Sequence, residues 1–321
     1  MNKLIYLISF SLIIFTGCST KQYYEPEDTI SYEGKSIDLD SAIIDLNSVG
    51  ATLENNQFIS KKGTIENSKK DYKFLNFVND TIISSDTNAS IHLKNQNIDQ
   101  VVQFDKNIIS ASKSNNLLAF GSIDNSITLY NLDTKQTVFK EYLKLSAINN
   151  IKIANPIFLT NVVLYPTLDG KIVIVDLKKN TVVKTINIDP NSDINNVIFI
   201  NEVNDTLIAA TTKKLFSFVN NKVNLKDLDV QHVIVHDEYI YVATLDGEII
   251  KYDFSLNKLA SQKFKFAKIN ALAFGTSLYA LESQDFLIKI SEDFKNVQVH
   301  DFSFDQEEKV IGIDDKLYFE D

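Results

Sequence analysis

The sequence predicts an all-β chain closed into a β-propeller, and three observations carry that reading. β-branched and aromatic residues recur in short alternating runs separated by Asn, Asp, Gly and Lys. Beyond the N-terminal stretch no segment repeats its apolar residues with the 3.6-residue period of an amphipathic helix. One unit of strand, tight turn, strand, polar turn and strand returns at a nearly constant interval.

The clearest copy runs from Val163 through Thr167-Leu168-Asp169-Gly170 to Leu177, followed by Thr181 to Ile186. The same pattern is written at Tyr241 to Asp253 around Leu245-Asp246-Gly247, and at Leu118 to Tyr130 around Ile123-Asp124-Asn125. Weaker copies cover Ile82 to Leu93, Leu207 to Phe218 and Leu278 to Ile290. Aligning Ser85, Ser122, Thr167, Thr211, Thr244 and Glu282 gives steps of 37, 45, 44, 33 and 38 residues, a mean near 39. Such a step is what four-stranded propeller blades require, and a two-sheet sandwich does not explain it. Lys316 to Asp321 reads as the start of a further copy, and Gly50 to Ser60 reads as its missing remainder. The expectation is therefore seven four-stranded blades closed by N- and C-terminal strands in one seam blade. The count rises to eight if Asp40 to Asn47, or the long stretches near Asn149 and Asn191, hide another strand pair.

The N-terminus sets the compartment. Met1-Asn2-Lys3 precedes an apolar run from Leu4 to Phe15, which is an export signal too short to span a bilayer. Residues 1–17 are read as a signal peptide, residues 18–39 as a flexible tether and residues 40–321 as the propeller. Cys18 is the only cysteine, so no disulfide can form within the chain. The chain carries 42 acidic residues against 32 basic ones, all lysine, for a net charge of −10. That balance argues against a nucleic-acid partner, whose phosphates need a positive face.

Candidate chemistry is sparse. Asp124, Asp169 and Asp246 occupy one point of the repeat, but Asp-Asn and Asp-Gly pairs serve two-residue turns and stand on different blades. His232 and His236 have the spacing of two helical zinc ligands, yet Val233-Ile234-Val235 between them is strand sequence. In a strand the two rings stand roughly 13 Å apart, too far to share an ion. His92 and His300 have no ligand cluster near them in sequence. Phe120, Tyr130, Tyr165, Tyr252 and Tyr279 fall at regular strand positions and read as packing between blades. No metal site, no cofactor and no catalytic residue is expected.

Phe15-Thr16-Gly17-Cys18 resembles the bacterial lipobox, which implies acylation of Cys18, and Ser19 after it resembles the outer-membrane-directed class. Together with the Leu-Asp-Gly repeats at 168–170 and 245–247, it makes the chain similar to the pyrroloquinoline-quinone-like propeller lipoproteins. Within them it looks like the BamB group, the scaffolds of outer-membrane β-barrel assembly. Where family repeats commonly end in Trp, this chain has residues such as Val138, Phe139 and Val183, and it has no Trp or vicinal Cys pair for a quinone. The resemblance implies a periplasm-facing outer-membrane lipoprotein that is not an enzyme and that binds barrel-assembly or other periplasmic proteins. The alternatives are a propeller lyase or hydrolase acting on envelope polymers and a solute-sensing propeller.

Overall fold

The computed structural model describes residues 22–34, 39–192 and 195–320. Seven antiparallel meanders form the blades: blade 1 spans 43–66, blade 2 73–103, blade 3 108–142, blade 4 157–187, blade 5 199–227, blade 6 230–263 and blade 7 269–301. Blades 1 to 6 have four strands and blade 7 has five. The six aligned positions lie at or one residue past the end of each second strand, as the repeat predicts.

The turn at the centre of the repeat differs from the one expected. In blades 3 and 6 the chain folds back with Asn125 N–H donating to Ser122 O (2.9 Å) and Gly247 N–H donating to Thr244 O (3.1 Å). Only the residue after the Asp is left-handed, with φ of +60° at Asn125, +74° at Gly170 and +80° at Gly247. This is a type I turn followed by a left-handed residue, not a two-residue primed turn. A Cβ at Gly247 would also stand 2.3 Å from Phe264 O, so that position excludes side chains twice over.

The core lies between blades. Phe58 packs against Phe74 across blades 1 and 2, with ring centroids 5.6 Å apart. Blades 2 and 3 share Leu93, Ile91, Leu118 and Phe120, and blades 3 and 4 share Leu129, Tyr165 and Val175. Similar clusters join blades 4 and 5, 5 and 6, and 6 and 7. Val138 and Phe139, at expected Trp positions, pack at the edge of the cluster between blades 3 and 4, whereas Val183 is exposed.

The seam closes with N- and C-terminal strands, but not with the expected partners. Ala51–Leu53 and Gln57–Ser60 are the middle strands of a complete blade 1, whose inner strand is Ile43–Leu46. Lys316–Tyr318 pairs with Ile311–Ile313 in a separate hairpin. That hairpin is a wedge: Ile311, Ile313 and Tyr318 pack on Ile43, Leu53 and Ile59 of blade 1, while Phe319 packs with Leu281 and Leu287 of blade 7. At Gly312 a Cβ would be 1.9 Å from Leu272 O, so the wedge touches blade 7 backbone to backbone. The short strand Ile311–Ile313, interrupted by that glycine, gives no alternating pattern to read. The long stretches at 143–156 and 188–198 contain no strand pair among the described residues.

Part of the expected tether is docked. Ile30–Ser31 adds a parallel fifth strand to blade 7, opposite His300 and Asp301. Tyr24 sits edge-on to Phe264 (5.9 Å) and Phe286 (5.7 Å), and Tyr32 sits edge-on to His300 and Phe302. Leu39 N–H then donates to Phe319 O (3.1 Å). A polar segment with three spaced apolar anchors carries no periodicity, so its docking was not readable. Met1 to Lys21, which include the signal peptide and Cys18, lie outside the described residues.

Ending the chain at Asp315 removes Tyr318 and Phe319, both buried and each worth about 1.5–3 kcal/mol. Thermal unfolding followed by circular dichroism is expected to drop by on the order of 10 °C. A midpoint within about 2 °C of the full chain would show that the wedge does not close the ring.

Candidate functional site: the plugged axis

Most connections between blades are short, as at 228–229 between blades 5 and 6, but the link from blade 3 to blade 4 runs over 143–156. Its contacts place it across the axis. Ser48 of blade 1 donates to Ile153 O (3.2 Å). Asn155 donates to Leu75 O of blade 2 (2.8 Å) and accepts from Ala111 N–H of blade 3 (2.9 Å). From the link between blades 4 and 5, Asn196 accepts the N–H groups of Asn149 and Asn150 and donates to Asn150 O and Lys152 O. Irregular backbone can lie at a ring's centre only if its polar groups are satisfied, and buried asparagines do that here.

The plug carries Lys152 to blade 6. Its Nζ lies 2.9 and 3.1 Å from the two ring nitrogens of His232 and donates to Gln231 O at 3.2 Å. The His232 ring also hydrogen-bonds the Ile269 backbone. One ring nitrogen therefore donates to that carbonyl and the other accepts from the amine. Burial lowers the Lys152 pKa to about 7. Burial, and then the nearby Lys152, hold His232 well below its ordinary range. A neutral imidazole facing an amine that titrates near neutrality is the ionisable pair at the axis.

Around this pair is a small chamber of about 50 Å³, lined by Lys152, Gln231, His232, Ile198, Leu272 and Ile311 among others. It shares Ser48, Phe199, Val233, Ile234 and Gly312 with a funnel of about 600 Å³. The funnel mouth carries Lys61, His236, Asp314 and Asp315. On the plug itself Leu145 and Ile151 are 76% and 59% exposed and Ile148 is exposed too, and exposed Tyr142 ends blade 3 just before it. The plug rests on the blade turns: Asn125 donates to Lys144 O (2.8 Å) and Ser146 to Leu168 O (3.0 Å). Ile123, two residues before Asn125 in the blade 3 turn, is exposed.

The aspartates of the repeat are turn residues. Asp124 accepts from Ser126 and Asp246 from Thr244 (2.6 Å) and Lys263. Asp169 is buried and accepts from Thr167 (2.7 Å), Lys171 (2.5 Å) and Asn125 of the preceding blade (3.1 Å). Burial pushes the Asp169 carboxyl up, but these donors outweigh it and hold it below the usual range. His232 and His236 occupy one strand, Val230–His236, with His236 stacked on Phe274 at 4.1 Å. His92 meets Asp99 at 2.8 Å, and His300 faces Ser31 O. Among the described residues no three His, Cys, Asp or Glu side chains gather into a metal-sized group. Sequence reading passed over Lys152; the available signal was an interblade link too long for a turn, with one lysine set between Ile151 and Ile153.

With a folded pKa near 7 against 10.5 for a free lysine, the unfolded chain binds the extra proton between those values. Stability contributed at Lys152 is therefore lowest below pH 7 and rises through pH 7 to 10. In Lys152→Met the melting temperature is expected to be higher at pH 6.5, and its rise from pH 7 to 9 smaller, than in the unaltered chain. Parallel melting curves of the two proteins over that range would refute the buried amine.

No family model matches the chain. It is similar to the plasminogen-binding protein PgbB of Helicobacter pylori, with 28% identity over 352 positions in strain J99 and 27% over 351 in strain 26695. Each alignment covers 94% of this chain and 65% of the relative, so the chain spans a little under two thirds of those proteins' length. Among solved structures, BamB from Moraxella catarrhalis superposes with a TM-score of 0.63 over 88% of this chain and 93% of that one, at 13% identity. The computationally designed protein Ika8 superposes with a TM-score of 0.60 over 86% and 91%, at 12% identity. The resemblance to BamB is thus one of architecture, a propeller built of antiparallel β-meanders.

Proposed function

We propose that this chain is a lipid-anchored propeller of the bacterial outer membrane that faces the periplasm and acts as a protein-binding scaffold in outer-membrane protein assembly. The observation that carries the binding role is the apolar crown of the plug. Leu145, Ile148 and Ile151 stand exposed on a segment tied to the ring by hydrogen bonds, so a partner meets a surface already ordered. The relation to proteins named for binding plasminogen supports the same class of activity. Acylation of Cys18 would hold the ring at the membrane and raise the local concentration of membrane-borne partners. In this reading nothing is turned over and no cofactor is required. A second reading, a solute-sensing or catalytic propeller, is favoured by the Lys152–His232 pair at the axis.

Capture of the native lipoprotein from mild detergent is expected to recover the barrel-assembly channel protein. The triple variant Leu145→Ser, Ile148→Ser, Ile151→Ser is expected to retain it at least tenfold less, since buried apolar anchors contribute upwards of 1 kcal/mol each at interfaces. Equal recovery by both proteins would remove the crown from the interface. Retention of plasminogen in place of the channel protein would keep the binding class and replace the process. Mass spectrometry of the mature N-terminus is expected to find acyl chains on Cys18, and a bare thiol would sink the anchor.

A further inference from the structure

We propose that the axial chamber and its funnel form a binding site for an amphiphilic monocarboxylate, with the carboxylate on Lys152 and the apolar body in the funnel. This site is separate from the crown and does not depend on the scaffold reading.

Four observations converge on it. Lys152 Nζ has only neutral acceptors, Gln231 O and the His232 ring, and the described residues offer it no carboxylate. An ammonium packed at the centre of a ring without a counter-charge is costly, and an entering anion relieves that cost. The chamber of about 50 Å³ has room for one head group, given that a water in the liquid occupies about 30 Å³. Beyond it the funnel of about 600 Å³ is walled by Phe77, Phe199, Ile200, Val233, Phe274 and Ile313, which suits a hydrocarbon body. Finally, Gln231 Oε1 is buried without a hydrogen-bond partner. Turned over, that side-chain amide presents N–H groups for a carboxylate.

The charge of the ligand follows from the pair. His232 is kept neutral, with one ring nitrogen committed to the Ile269 carbonyl, so the chamber supplies one positive charge and fits one negative one. A phosphate dianion would leave a charge uncompensated. Blades 1, 5 and 7 and the wedge bring no ionisable group to the chamber wall. The other titratable groups nearby are Lys61, His236, Asp314 and Asp315, at the funnel mouth.

Calorimetric titration of the full chain with sodium decanoate is expected to show one site per chain. Affinity should fall about tenfold per pH unit above pH 7 as Lys152 loses its proton. Lys152→Met is expected to bind decanoate at least tenfold more weakly at pH 6.5. Lys152→Arg, which stays charged, is expected to hold its affinity to pH 8.5. A circular-dichroism melt of each variant checks that the ring is intact, and decanol, lacking the charge, should not distinguish the unaltered chain from Lys152→Met. No decanoate binding at pH 6.5, binding independent of pH from 6 to 8.5, or equal binding by Lys152→Met would each overturn the proposal.

Discussion

The structure depends on one constraint: each blade is a sheet with two faces, and both must be covered. A single meander cannot bury its own apolar residues, so every interface in the ring is a small core shared by neighbours. Six interblade contacts, five clusters and the Phe58–Phe74 pair, come from repeating the same unit. The seventh would leave blade 7 open toward blade 1, and the C-terminal hairpin fills that gap with Ile311, Ile313 and Tyr318 on one side and Phe319 on the other. A wedge of two strands suffices because the N-terminal segment covers what a full blade would have covered. Ile30–Ser31 extends blade 7, and Leu39 joins the end of the wedge through its backbone. Both chain ends are thus used as structure, which reduces fraying where a circular fold is weakest.

Closure in turn makes the axis available. Inner strands of successive blades surround a space that side chains alone do not fill, and the 143–156 link enters it. Asparagine is well chosen for this role, since its amide both donates and accepts and carries no charge to desolvate. Asn155 and Asn196 satisfy backbone groups from several elements at once. The plug therefore has two sides of different character, a crown of exposed aliphatic residues and, through Lys152, a polar group directed to the axial cavity. A surface for proteins and a chamber for a small anion can coexist on one segment because the asparagine network holds each in place.

Much of the fold was legible in the sequence because the repeat is written in local chemistry. Thr167-Leu168-Asp169-Gly170 and Thr244-Leu245-Asp246-Gly247 specify a hairpin wherever they occur, and Thr167 and Thr244 make the same hydrogen bonds to the Asp two residues on. The strand reading of His232 to His236 likewise follows from the three β-branched residues between them. What was not legible is non-local. Ile311–Ile313 is too short to show alternation, and Tyr24 and Tyr32 are single anchors in a polar run. Lys152 looks in sequence like any lysine in a loop; its environment is assembled from blades 1, 5, 6 and 7 and the wedge, hundreds of residues apart in part. Candidate sites read from composition alone favour Asp and His for this reason, whereas the cation brought to the axis is a lysine.

The identity of that group is itself informative. A chain with 32 basic residues and no arginine places at its axis the cation that can give up its proton. Arginine stays charged in any folded environment, and a guanidinium there would demand a permanent counter-ion. A lysine can be carried neutral next to a neutral imidazole, so the ring folds without a buried carboxylate to balance it. The same property links occupancy to protonation: an anion entering the funnel stabilises the charged amine, and the charged amine favours the anion, by equal free energies. Packing alone would be served by a methionine of the same length, with no polar atom to satisfy. The amine therefore adds to the axis what a methionine would not, a charge that appears when a negative partner is present and is otherwise suppressed by burial.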